Sequence, residues 1–295
     1  MVFEQEAWPM RIFFLFLYSM TDFRFIPVSP HPLLAPFVAK MFVFESEGRL
    51  PAEEKKLIVP NANLKLTLTY RNGILARVDG APFLQREHEL SLTGLIDTPV
   101  ILDSSDDRPT GTIVIEFNQL GTYRLFNLSF AAVKNQIVSM EDLIGHSARE
   151  LGERLEEAKT VEMKLQLLQH FLLKRLELSA PDPIYDHCIN RIHYSKGLIT
   201  VGNLEKETGY SARWLQMKFV ERLGTSPKNL AEIIRFKQFY QAYSNGVSQH
   251  ELSGYIYQYY YDQSHFLKAF KRFTGTTPTD LKRSLNDLSI RNFSD

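Results

Sequence analysis

The chain has 295 residues, is 44% hydrophobic and 23% charged, and balances 34 Lys+Arg against 34 Asp+Glu. Its length exceeds the roughly 100–200 residues of one domain and predicts two, and its composition excludes a disordered chain. A lone cysteine, Cys188, excludes a disulfide framework and a multi-cysteine zinc cage and fits a reducing cytoplasm, while zero net charge argues at face value against a nucleic-acid partner.

The first apolar run, residues 12–18, falls short of the ~18–20 residues that span a bilayer, so no membrane partner is expected. As a signal-peptide core it lacks a basic region beyond Arg11 and a small-residue cleavage site. Met20-Thr21-Asp22-Phe23 reads as a more ordinary start, which makes residues 1–21 an N-terminal extension upstream of it. Residues 22–139 read as β-rich, a sensor or effector domain. Leu64-Lys65-Leu66-Thr67-Leu68-Thr69-Tyr70 alternates with period two, as a half-buried strand does, and Arg71-Asn72-Gly73 then supplies a hairpin turn. Further strands are expected at 41–45, 94–102, 111–117 and 124–127, together forming a small antiparallel barrel or sandwich.

The texture turns helical at Met140. Ser139 is a cap type, and Glu141 and Asp142 suit the positive end of a helix dipole. Helices are expected at 147–157 and 161–176. In the latter, Val161, Leu165, Leu168, Leu172 and Leu176 form one stripe, to be packed on its own domain or used as a dimer seam. Residues 140–180 are therefore a helical extension and the candidate contact of a homodimer. Ala180-Pro181-Asp182-Pro183 cannot continue a helix and reads as a linker. Across it the charge divides: residues 187–295 hold 15 Lys+Arg and 9 Asp+Glu, net +6, which leaves 19 and 25, net −6, for residues 1–186. The neutral chain is an acidic half joined to a basic one.

The basic half repeats itself at an offset of 51 residues. Phe219, Gly224, Thr225, Ser226, Pro227 and Leu230 match Phe270, Gly275, Thr276, Thr277, Pro278 and Leu281, with Leu215 matching Phe266 and Ser211 matching Asp262. Ser211 and Asp262 are N-cap types, Leu215/Phe219 and Phe266/Phe270 bury one face at i, i+4, and the two glycines end the helix at a left-handed position. Ser226-Pro227 and Thr277-Pro278 then start new helices, with proline where its missing N–H costs nothing. Front helices are expected at 200–208, ended by Gly209-Tyr210, and at 251–258, with a longer helix at 227–243 between the copies. Helix, tight turn and capped helix make a helix-turn-helix. The fold class is thus α+β: a β-rich barrel or sandwich with a helical extension, then an all-α domain of two helix-turn-helix units joined by a long helix (187–285), and a tail at 286–295.

The candidate DNA-contacting residues are Ser211, Ala212, Arg213, Gln216, Met217 and Lys218 in the first unit. In the second they are Gln263, Ser264, His265, Lys268, Lys271 and Arg272, with Leu267 also outward. Arg, Lys and Gln pair with purine edges in the major groove, and Ser, Thr and helix N-termini hold phosphates. The same side chains also clothe ordinary solvated helices. Duplication and the +6 balance favour the DNA reading.

Residues 196–285 resemble the DNA-binding domain of the AraC/XylS family of bacterial transcription regulators. The resemblance rests on Leu204, Gly209-Tyr210-Ser211, Arg213, Leu215, Phe219, Gly224, Ser226-Pro227, the run from Tyr260 to Phe266, the run from Phe270 to Gly275, and Thr277-Pro278. More weakly, 30–38, Ile58-Val59-Pro60-Asn61 and 140–154 resemble the β-rich domain that accompanies it in one subgroup. The family implies double-stranded DNA as partner, read by two recognition helices (about 211–222 and 262–273) in successive major-groove segments about one turn (~34 Å) apart. It also implies RNA polymerase as a partner of an activator, a small-molecule effector, and no cofactor. Carried over by position, Arg213, Gln216 and Met217 face bases from the first helix and Ser264, His265 and Lys268 from the second. Three positions depart from the family: Met217 where a basic residue is frequent, Glu205 where a small Ala packs, and a second front segment one residue short, without its turn glycine and rich in tyrosine.

Catalytic readings find little support. The eight histidines form no H-x-H or H-E-x-x-H pair, His187 and His193 flank Cys188 without a second cysteine, and no Gly-rich nucleotide loop or G-x-S-x-G is present. Asp103, Asp106 and Asp107 read as a solvated loop. No metal and no enzyme activity are expected. The rival is a small-molecule-binding or catalytic β-barrel protein whose helix-turn-helix units have decayed into a protein-interaction surface.

Overall fold

The computed structural model describes residues 23–47, 57–103, 108–245 and 247–278. The extension at 1–21, Asp106 and Asp107, and the tail at 286–295 lie outside the described residues.

The N-terminal region holds ten strands among the described residues: β1 (Phe23–Pro27), β2 (Val38–Ser46), β3 (Leu57–Ile58), β4 (Leu64–Arg71), β5 (Ile74–Val78), β6 (Ala81–Gln85), β7 (Leu90–Thr93), β8 (Val100–Asp103), β9 (Thr110–Phe117) and β10 (Ile137–Ser139). They pair antiparallel in two sheets, ordered β1-β2-β9-β4-β7-β10 and β3-β8-β5-β6. Alternation explains the layering. Along β9, Ile113, Ile115 and Phe117 enter a core shared with helices, while Thr112, Val114 and Glu116 face the space between the sheets. The strand is buried along its whole length. In β4, Leu64, Leu66 and Leu68 join that helical core, and Lys65 and Thr67 line the inter-sheet space. The polar face of an alternating strand is here an inner wall.

Three local expectations are corrected. Arg71-Asn72-Gly73 does not close a hairpin. β4 pairs with β7 and β9, whereas β5 pairs with β6 and β8, so the turn carries the chain from one sheet to the other. Asn72 supplies the positive φ of +50°, and its amide donates to the Pro109 carbonyl at 2.5 Å. Residues 94–102 are not one strand: β7 ends at Thr93 and β8 starts at Val100, so 94–99 form the connection between them. Residues 124–127 form no strand but the last turn of helix α1 (Gln119–Phe126). Asn118 caps that helix and Asn127 ends it left-handed, and these short-range bonds outweigh the β preference of the residues between.

The extension follows as α2 (Met140–Ile144), α3 (His146–Glu157) and α4 (Val161–Glu177), with Ser139 and Thr160 accepting the capping N–H bonds. Leu165, Leu168 and Leu172 of the α4 stripe are buried by this same chain. The C-terminal region comprises α5 (Pro183–Tyr194), α6 (Val201–Thr208), α7 (Ala212–Leu223), α8 (Pro227–Ser244), α9 (Gln249–Tyr259) and α10 (Gln263–Thr274). One apolar cluster runs from Leu64 in the sheet through Tyr185 and Phe219 to Phe273. The 180–183 segment is accordingly no loose spacer: Asp182 caps α5, and its N–H donates to the Tyr123 hydroxyl at 2.9 Å. The α+β class read from the sequence is the class of the fold.

Candidate DNA-reading surface and effector cavity

Both helix-turn-helix units are built from local bonds. In the first, Thr200 caps α6, Gly209 ends it at φ +74°, Ser211 accepts from the Trp214 N–H at 3.3 Å, and Gly224 ends α7 at φ +80°. In the second, Ser248 and Glu251 form a capping box on α9, Asp262 accepts from the His265 N–H at 2.7 Å, and Gly275 ends α10 at φ +74°. Each side-chain cap contributes about 0.5–2 kcal/mol. Ser226 and Pro227 start α8, the spine of the domain. Its Phe236 lies 4.9 Å from the Phe273 ring, and its Phe239 lies 4.6 Å from the Phe266 ring.

The family departures have structural answers. Glu205 accepts a hydrogen bond from the Ala212 N–H at 2.5 Å, so its carboxylate sits at the positive end of α7 and ties the front helix to the recognition helix. The short second front segment ends without glycine because Tyr260 leaves α9 in an extended conformation, φ −127°. Its buried ring packs 5.2 Å from Phe266. Met217 is 57% exposed on the outer face of α7.

The predicted contact residues divide into two groups. Arg213, Gln216 and Met217 lie exposed one helical turn apart, as do Ser264, Leu267, Lys268 and Lys271. Gln263 and His265 are exposed beside them, Ser211 is spent on its cap, and Ala212 is half-buried. Lys218 and Arg272 turn instead to the N-terminal half of the molecule. The Lys218 ammonium is 3.0 Å from the Asp182 carboxylate and 5.5 Å from the Trp214 ring centre. Arg222 also reaches Asp182, at 3.7 Å. Arg272 meets Asp97 at 2.5 Å and Glu232 at 3.2 Å. Asp97 is 2% exposed and also accepts from Lys134 (2.7 Å), Asn135 (2.7 Å) and Asn229 (2.9 Å). Burial pushes its carboxyl group up, but hydrogen bonds from Lys134 and Asn135 with the charges of Lys134 and Arg272 outweigh this and hold it below the usual carboxylate range.

A cavity of about 740 Å³ lies between the two sheets, with walls predominantly apolar, among them Phe25, Phe42, Phe44 and Val114. One row of charge crosses it. Lys40, Glu116 and Lys65 are register partners on the adjacent strands β2, β9 and β4, and all three line the cavity. Lys65 lies 3.6 Å from Glu116, whose other oxygen accepts from Asn61 (3.1 Å) and Asn63 (3.3 Å). Sequence reading missed this row. Its one visible signal was the charge of Lys65 on the period-two face opposite the leucines.

The histidines that flank Cys188 part company. His187 contacts Glu207 at 3.0 Å, whereas His193 is turned to Gln119 at 2.6 Å. Burial, with the charge of Lys237, lowers the His193 imidazole, and burial pushes the Cys188 thiol up to about 11, which keeps it protonated and unreactive. Among the described residues no group of three His, Cys, Asp or Glu is placed to hold a metal, and no helix is long and apolar enough to cross a membrane.

Two capped helix-turn-helix units on one spine, each with a polar outer face, define a DNA-binding transcription regulator. The family model described as a helix-turn-helix domain matches residues 204–284. No curated protein sequence matches the chain. Similar solved structures include ToxT from Vibrio cholerae, 14% identical over 83% of this chain and 98% of that one, TM-score 0.43. Another is wild-type ToxT from Vibrio cholerae with bound unsaturated fatty acid, 12% identical over 85% of this chain and 96% of that one, TM-score 0.42. The cupin domain of Schizosaccharomyces pombe Cnp3 is 10% identical over 35% of this chain and 69% of that domain, TM-score 0.28.

Proposed function

We propose that the protein recognises a specific duplex sequence by placing α7 and α10 in successive major-groove segments, under the control of a small molecule held between its sheets. The observation that carries the first part is the exposed pair of faces, Arg213–Gln216–Met217 on α7, whose Phe219 packs on Tyr185, and Ser264–His265–Lys268 on α10, whose rings pack on α8. Arg213 and Gln216 read base edges, His265 and Lys268 do so from the second helix, and Lys271 and the capped N-termini hold phosphates. The cavity supports the second part: two lysines beside one buried carboxylate, in walls otherwise apolar, suit an apolar molecule with an anionic head. Double-stranded DNA is the principal partner. RNA polymerase is the second, by the family resemblance, and the protein works in the cytoplasm.

Selection of the full-length protein against random duplexes tests the reading. The expected product is a motif with two half-sites about 10 base pairs apart, bound with an affinity that falls steeply with salt. Absence of any enriched sequence overturns it and leaves the β-barrel as the functional part of the molecule.

A further inference from the structure

The segment joining β7 to β8 has two faces. On one side Ile96 and Val100 line the cavity and cluster with Ala76 and Val78 of the smaller sheet. On the other, the residues between them reach into the second helix-turn-helix unit. Asp97 holds Arg272 of α10 at 2.5 Å and Asn229 of α8 at 2.9 Å, and the Pro99 ring lies 3.2 Å from where a Cβ on Gly275 would stand. Arg272 also donates to Asn229 at 2.6 Å, which closes the network. Asp97 is itself fixed, because its N–H donates to the Asn135 side chain at 2.8 Å while its carboxylate accepts from Asn135 and Lys134. A strap of five residues is thus a cavity wall on one face and a grip on a recognition helix on the other. The first unit is held differently, by Phe130 and Asp182, and neither of these lines the cavity.

We propose that residues 96–100 form an autoinhibitory strap. Gripped by Asp97 and Pro99, α10 has its orientation set by the N-terminal region, and Arg272 is withheld from the phosphates it would otherwise reach. Phosphate contact by Arg272 requires it to leave Asp97, so engagement of DNA through α10 competes directly with the strap. A ligand that fits the cavity as it stands contacts Ile96 and Val100 in their gripped positions. It therefore binds the gripped state better and favours it over the released one. This regulation rests on the reading of the cavity as an effector site, while the grip itself does not.

The test uses the full chain, the duplex recovered by selection, and 8-anilinonaphthalene-1-sulfonate as an apolar anionic probe whose fluorescence reports binding. Asp97→Asn, nearly isosteric, is expected to raise DNA affinity about tenfold, within the usual 5–150-fold range of coupling between sites. It should also speed amide hydrogen exchange in α10 while leaving α7 unchanged. Affinity equal to or below that of the wild type, in a variant that melts cooperatively, overturns the strap. Should that variant fail to fold, Pro99→Ala, which removes the ring from Gly275, must shift affinity in the same direction or the strap fails. The probe is expected to lower DNA affinity and slow α10 exchange in the wild type and to do neither in Asp97→Asn. Bound probe without effect on α10 overturns the coupling and leaves the cavity reading standing. Absence of probe binding overturns the cavity reading, and the grip is then decided by Asp97→Asn alone.

Discussion

Helices α7 and α10 have the same length, matching caps, matching left-handed glycine ends and the same buried i, i+4 stripe, yet their surroundings differ. Phe219 of α7 packs 4.9 Å from Tyr185, which in turn sits 5.2 Å edge-on to Tyr123 of α1, so the first unit belongs to the core of the N-terminal half. Backbone joins them too: the Phe130 N–H donates to the Glu221 carbonyl at 2.8 Å. The rings of α10 pack against Phe236 and Phe239 of α8 and against Tyr260, and α10 is tied to the β domain by an ion-pair network and one proline ring. Apolar packing of many buried atoms is hard to undo piecemeal, whereas a partly exposed charged contact competes directly with water and with phosphate. The same repeat has yielded a fixed reader and an adjustable one.

The largest test truncates the matched phenylalanines. Phe219→Ala and Phe270→Ala should each cost about 3–5 kcal/mol. Phe219→Ala is expected to lower the single cooperative melt of the whole chain, and Phe270→Ala to release the second unit first, visible as rapid exchange confined to α9 and α10. Equal, chain-wide melting by both would erase the distinction between the units. The glycines come next. Both require a left-handed conformation that costs an L-residue roughly 1–2 kcal/mol, but a Cβ on Gly224 would also stand 2.6 Å from the Phe130 carbonyl oxygen, against 3.2 Å from the flexible Pro99 ring at Gly275. Chemical denaturation should therefore find Gly224→Ala the more damaging of the two, and the reverse order would refute the packing difference.

On DNA, Arg213→Ala and Lys268→Ala should each cost about 1–3 kcal/mol. The fixed helix should show its loss mainly as relaxed sequence preference and the adjustable one as a shallower salt dependence, both readable by titration at several salt concentrations. Acid gives the smallest effect and acts on the fixed side. The folded His193 imidazole titrates below its unfolded value of about 6.5. Between those two values the unfolded chain binds more protons, so the contribution of the His193–Gln119 contact is complete above about pH 6.5 and is lost as pH falls through the folded value. Melting temperature should fall with acid over that window, and His193→Gln should flatten that part of the profile.

Much of this was legible in order along the chain. Ser139, Ser211, Ser226, Asp262, Gly224 and Gly275 act on backbone groups within four residues, so the sequence alone placed α6 to α10, while α5 after the 180–183 segment went unread. The charge division across 180–183 likewise needed no structure. What depends on distant partners was hidden. Asn72-Gly73 is compatible with a hairpin or with a crossing between sheets, and only the pairing of β4 with β9 and of β5 with β8 decides which. Lys65 and Thr67 read as a solvent face until a second sheet covers them. Lys218 and Arg272 were indistinguishable from their DNA-facing neighbours, because an ion pair with Asp182 or with Asp97, 175 residues away, leaves no local trace. Sequence determined that there are two DNA readers of one design, since caps and stripes are short-range. The tertiary structure decided that one is packed into the core and the other clasped by charge, since that follows from which surfaces the fold brings together.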